Sequence, residues 1–157
     1  MYLDSAIAVK LLTREPDSLH WARLVDGQVL FSSELMRTEC FSALLRKERE
    51  GAITRRQRQR AARALERDIE DQHVTLVAVS SDVLRTANAM LVGCHPAIAL
   101  RSLDAINLAS AQRTQSWPIV TNDARMRQAA ARLALPLAAL PGAGARLVRR
   151  LGQAPRR

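Results

Sequence analysis

Residues 1–12 read MYLDSAIAVKLL, and the order of residue types in this stretch decides the fold class. Tyr2 and Leu3 open a short apolar strand, which stops at Asp4 and Ser5. Ala6 to Leu12 then read as a helix, so the chain begins with the first half of a βα unit. The same succession recurs downstream. Glu15-Pro16-Asp17 breaks the chain before a second helix through Trp21 and Leu24. Val29-Leu30-Phe31 is a compact run of buried-strand type, ended by Ser32-Ser33. A serine there can cap a helix, and a long helix follows from Glu34 to about Glu50, closed by Gly51.

Thr54 caps the next helix, which runs to about Asp71. Val74 to Val79 is the clearest strand, and Ser80-Ser81-Asp82 starts a helix to about Val92. After a break at Gly93 to Pro96, a helix is expected around Leu103 to Arg113, then a strand at Pro118-Ile119-Val120-Thr121. Asp123 starts a helix to about Leu133, and a last short strand is expected near Leu137 to Leu140. Strands alternate with helices, and the strand runs are continuously apolar rather than alternating. That pattern belongs to a parallel sheet covered on both faces. The expected fold class is therefore α/β, a three-layer α/β/α sandwich with a mostly parallel sheet of about four to five short strands. With 157 residues a single core suffices, and one domain is expected over 1–140. The Gly-, Ala-, Pro- and Arg-rich tail, 141–157, has a composition that leaves room for partial disorder.

The net charge is +9, and Lys10 and Lys47 are the only lysines. Guanidinium grips phosphate oxygens in a planar, bidentate way, so an arginine excess suits a polyanionic partner. A GC-rich genome would enrich arginine too, and charge alone does not decide. Cys40 and Cys94 are too few for a disulfide framework and read as buried thiols in a reducing cytoplasm. The N-terminus lacks the basic region of a signal peptide. The least charged stretch, Leu133 to Ala145, is broken by Pro136, Pro141 and Gly142 and falls short of the ~20 residues of a spanning helix. A soluble, cytoplasmic chain is expected. His20, His73 and His95 are scattered without a Ser or Cys nucleophile context. No GxGxxG or Walker motif supports a nucleotide cofactor.

Four acids carry the chemistry. In an open α/β sheet the binding crevice lies beyond the carboxyl ends of the strands. Asp4 ends the first strand and Asp123 the one starting at Ile119, so both should face that crevice, although each could simply cap its helix. Glu39 shares a helix face with Leu35, Ser42 and Ala43, and Asp104 is in line with Leu100, Leu108 and Ala111. A carboxylate on a core-facing stripe is costly unless paired or metal-bound. The structural alternative is an ion pair with an arginine such as Arg37 or Arg101. If the four acids meet, they repel one another and their pKa values rise unless a cation neutralises them. Oxygen ligands without a His/Cys cluster favour Mg²⁺ or Mn²⁺ over zinc. Such a site can polarise a phosphodiester and activate water for in-line attack at phosphorus. Glu34, at the start of the same helix as Glu39, is explained by the helix dipole alone.

These residues also resemble a known family. MYLDSAIAVKLL resembles the opening of PIN-domain proteins, and FSSELMRTECFSALLR the segment that supplies their helical Glu, here Glu39. LRSLDAINLASA is similar to the family's most recognisable stretch, with Asp104 in the acidic position. VTNDARMRQAA resembles the last motif, ending in Asp123. The motifs come in the family's order over roughly residues 1 to 140, and their style is closest to VapC toxins of bacterial toxin–antitoxin pairs. The resemblance implies a PIN-like sandwich and a Mg²⁺- or Mn²⁺-dependent endoribonuclease with Asp4, Glu39, Asp104 and Asp123 catalytic. It implies Asp4, Asp104 and Asp123 as metal ligands and Ser5 and Thr121 as supporting residues. It further implies a homodimer, silenced by a cognate antitoxin, whose products carry 5′-phosphate and 3′-hydroxyl ends. Asn107 departs from the pattern, since many relatives carry His there.

Arg56, Arg60, Arg63 and Arg67 are spaced i, i+4, i+7, i+11 and form one basic stripe, opposite Ala61, Leu65 and Ile69. The stripe reads as a solvated face, a track for RNA phosphates or a dock for an acidic antitoxin. The tail arginines Arg146, Arg149, Arg150, Arg156 and Arg157 are equally open. With aromatics at 3%, RNA recognition should rest on shape and backbone rather than base stacking. Two rivals remain. A haloacid-dehalogenase-like phosphotransferase would need a second Asp where Ala6 stands, and a response-regulator receiver a late lysine, absent after Lys47. A non-catalytic nucleic-acid-binding module needs basicity alone.

Overall fold

Eleven elements make up the computed structural model, which describes residues 1–142. The tail arginines and most of the expected tail segment lie outside the described residues. In chain order the elements are β1 (Tyr2–Leu3), α1 (Ser5–Thr13), α2 (Ser18–Val25), β2 (Leu30–Ser33), α3 (Leu35–Arg49) and α4 (Arg55–Glu70). There follow β3 (Val74–Val77), α5 (Ser81–Cys94), α6 (Ser102–Thr114), β4 (Ile119–Val120) and α7 (Ala124–Arg132). The capping signals act as expected. Thr54 and Gln57 form a reciprocal capping box at the start of α4, and the Ser80 side chain accepts from Val83 N–H at α5.

The four strands are all parallel, in the order β3-β2-β1-β4. Pleating sends successive side chains to opposite faces, and each face holds its own core. Tyr2 and Ile119, paired in register, pack with Val83, Met90, Leu108 and Met126 from α5, α6 and α7. Leu3 and Val120 face the other way, onto Ile7, Trp21, Met36, Leu44 and Leu65 from α1 to α4. Helices therefore cover both sides of the sheet, which is why the strands read as unbroken apolar runs.

The last strand expected near Leu137 to Leu140 is instead a single parallel bridge between Ile119 and Leu137. The reason lies in β4. Its inner edge is taken by β1, with Tyr2 N–H bonded to Pro118 O and Asp4 N–H to Val120 O. The outer edge offers only Ile119, whose N–H reaches Pro136 O and whose carbonyl takes Ala138 N–H, both at 2.9 Å. Nothing remains for Ala139 or Leu140 to pair with.

The order of strands positions the site. From β1 the chain winds outward through β2 to β3, then crosses back to place β4 on the other side of β1. Winding reverses between β1 and β4, and a crevice opens at such a switch point beyond the strand ends. Among the described residues no helix is long and apolar enough to cross a membrane.

Candidate active site

Asp4 follows β1 directly and is buried, 6% exposed. It is the N-cap of α1: Oδ1 accepts from Ala6 N–H at 3.3 Å and from the Ser5 hydroxyl at 3.4 Å. Its Oδ2 accepts from the Thr121 hydroxyl at the end of β4. The Thr121 oxygen in turn accepts from Asp123 N–H at 3.1 Å. Asp123 caps α7 through Met126 N–H at 2.7 Å, and its side chain is exposed. Both aspartates cap their helices, and both stand at the carboxyl ends of their strands. Arg127 braces this corner by donating to the carbonyls of Thr121 and Ala138, each at 3.0 Å.

Glu39 and Asp104 come in from α3 and α6, each half-buried at the crevice edge rather than within a core. Among the described residues neither forms an ion pair; Arg37 instead meets Glu66. The alternative of a structural pair with Arg37 or Arg101 therefore fails on contact. Glu34, at the N-cap of α3, also accepts from Val79 N–H at 3.2 Å.

Asp4 and Asp104 feel the charges around them. Burial first, then the charges of Glu39 and Asp123, push the Asp4 carboxyl above its ordinary value against the pull of its Thr121 and Ala6 hydrogen bonds. Burial, then Asp123 and Asp4, raise Asp104, while the nearby Arg101 and Arg125 pull it back. Neither arginine forms an ion pair among the described residues. Beside Glu39 the Cys40 thiol is pushed up to about 12 by burial and by Glu39 and Asp4, so it is no nucleophile at neutral pH. A cleft of about 360 Å³ between α1 and α3 adjoins the acids, lined by Ser5, Glu39 and Asn122. Its far wall carries both lysines, each 2.8 Å from Glu15. The basic stripe stands elsewhere, with Arg56, Arg60, Arg63 and Arg67 all exposed on α4 and free of acidic partners among the described residues.

No three ligating side chains among the described residues converge tightly enough to enclose an ion by themselves. The fit is to a hydrated ion. Mg²⁺ keeps several waters and takes one or two carboxylates directly. An open, all-oxygen set suits it, and suits Mn²⁺, better than the closed nitrogen and sulfur cage of a structural zinc.

Read from sequence alone, Tyr2 has no part in the site and Asn107 is only a departure from the family pattern. The Tyr2 hydroxyl donates to Asn107 Oδ1 at 2.7 Å, and Asn107 Nδ2 reaches Glu39 Oε2 at 3.5 Å. A signal existed: Asn107 is one helical turn from Asp104, and a buried tyrosine needs a partner for its hydroxyl.

The PIN domain family model matches residues 1–132, and the chain belongs to that family. Over 142 residues it is 37% identical to ribonuclease VapC46 of Mycobacterium tuberculosis, an alignment covering 88% of this chain and 96% of that protein. A chain of VapBC2 from Rickettsia felis, solved bound to a DNA fragment from their promoter, superposes with a TM-score of 0.61. That match covers 87% of this chain and 96% of the other at 14% identity, and it bears on the fold alone.

Proposed function

We propose that this chain is a Mg²⁺- or Mn²⁺-dependent endoribonuclease, the toxin of a VapBC-type toxin–antitoxin pair. The observation that carries the reading is the convergence of four elements at one switch point. Asp4, Glu39, Asp104 and Asp123 come from both helical layers to the ends of β1 and β4, and Asp4 and Asp104 are electrostatically strained there. Kinship to a ribonuclease over nearly the whole chain supports the substrate class, and a VapBC chain as structural neighbour agrees with an antitoxin partner. Cytoplasmic location and homodimerisation belong to the same proposal.

Asp4, Asp104 and Asp123 would hold the cation, with Ser5 and Thr121 orienting Asp4 through the hydrogen bonds described. Bound there, the cation supplies charge neutralisation and polarises the phosphodiester. Glu39 accepts a proton from the attacking water. Arg101 and Arg125, unpaired among the described residues, lie beside the acids and would take phosphate oxygens. The bond between phosphorus and the 3′ oxygen breaks, leaving 5′-phosphate and 3′-hydroxyl ends. The α4 arginines serve as an RNA track or antitoxin dock.

The test is to incubate partner-free protein with cellular RNA in Mn²⁺, Mg²⁺ and EDTA beside an Asp4→Asn/Asp104→Asn double variant. Cutting should need metal and vanish in the variant. Cutting that persists in EDTA, or in the variant at full rate, would refute the assignment.

A further inference from the structure

The Tyr2 side chain is wholly buried and its hydroxyl meets two partners. It accepts from Ser33 N–H at 2.9 Å and donates to Asn107 Oδ1 at 2.7 Å. A backbone N–H can only donate, so the phenolic proton is free for the short bond to Asn107 Oδ1. A phenol holds its proton at neutral pH. The amide of buried Asn107 is thereby fixed, with its oxygen toward Tyr2. Its Nδ2 faces the Leu103 carbonyl at 3.1 Å and Glu39 Oε2 at 3.5 Å. Flipping the amide would set its oxygen against the Leu103 carbonyl and Glu39 Oε2, acceptor against acceptor at both places, a cost of about 1–3 kcal/mol per buried unsatisfied group.

We infer that Tyr2 and Asn107 are positioning residues for Glu39, a polarity relay that pins one carboxylate oxygen and leaves the other to the crevice. The inference rests on the nuclease reading of the site. The relay runs from β2 through β1 and α6 to α3, so the four elements that meet under the crevice are locked to one orientation of Glu39. What it demands at position 107 is one acceptor toward Tyr2 and one donor toward Glu39. A neutral histidine offers both on one ring, whereas leucine offers neither.

Cleavage of a labelled RNA in Mn²⁺ would be compared for wild type, Tyr2→Phe, Asn107→Leu and Asn107→His, with a melting curve for each. Asn107→Leu should lose about tenfold or more in kcat, the scale of supporting-partner losses. KM and the Mn²⁺-induced rise in melting temperature should hold, because both residues are buried. Tyr2→Phe should lose less, and Asn107→His should recover most of the rate. A merely structural role would lower the melting temperature while sparing kcat per folded molecule. Wild-type kcat in Asn107→Leu, or no recovery in Asn107→His, would overturn the inference. The contact is also read without turnover, from the Asn107 side-chain amide resonances. They should shift on Glu39→Gln and on Tyr2→Phe, and unmoved resonances refute the relay even if the wild type cuts RNA. A wild type that cuts nothing, with the resonances shifting, refutes the nuclease reading and keeps the relay.

Discussion

Asp104 shows how the site works against the fold. Its carboxyl sits above the ordinary aspartate value of 3.8 because of burial and then the Asp123 and Asp4 charges. The folded chain therefore keeps a proton on it at pH values where the unfolded chain has released its own. The stability this confers is complete below the ordinary value and is lost as pH climbs through the raised one. Asp4 contributes with the same sign. Metal-free Asp104→Asn, spared the repulsion, should melt about 1–3 °C higher than wild type at neutral pH, the shift expected from under 1 kcal/mol at this size. The gap should narrow as pH falls toward 3.8, as melts in EDTA across that range would show. A variant melting lower than wild type at neutral pH would contradict the repulsion. Residue spacing made the crevice positions of Asp4 and Asp123 legible, since each ends an apolar run. It could not place Tyr2, whose role depends on a partner 105 positions away.

On α4, Arg56, Arg60, Arg63 and Arg67 keep to the face opposite Ala61, Leu65 and Ile69, so helical period alone delivered the stripe. Thr54, Gly51 and Ser80 marked their junctions for the same reason, because capping is a local matter of side chain and adjacent backbone. The bridge at Leu137 was not legible as such. How much strand forms there depends on how much of β4 remains unpaired, which is set by β1 at the other end of the chain. If the α4 arginines track RNA, replacing Arg56, Arg60, Arg63 and Arg67 with Gln should weaken binding and flatten its salt dependence. Each lost phosphate contact should take about 0.7 off the slope of log K against log salt for single strands. Binding isotherms at several salt concentrations would measure it, and an unchanged slope would assign the stripe to another partner or to solvent.

Over the whole molecule, the acids are contributed by both layers: Asp4 and Glu39 through α1 and α3, Asp104 and Asp123 through α6 and α7. A cation held among them would couple the two cores, and an unfolded chain offers it no such arrangement. Mn²⁺ at about one hundred times its dissociation constant should add about 2.7 kcal/mol, or about 5–10 °C in melting temperature. The increment should shrink as pH falls toward the raised carboxyl values, because Asp4 and Asp104 must give up protons to bind. The Asp4→Asn/Asp104→Asn variant should lose it, and an equal rise in that variant would place the ion elsewhere. The assignment of helices to layers was not legible in the sequence. It follows from Tyr2 and Leu3 turning opposite ways in a strand of two residues, too short to show a period.

Asp4 and Asp123 each cap a helix as well as edging the crevice. Selection for a stable fold alone would therefore keep both aspartates in a descendant that had stopped cutting anything. Glu39, in the middle of α3, caps nothing. It is free to drift once catalysis is abandoned, so its presence tells an active lineage from a relic more sharply than the two aspartates at the strand ends.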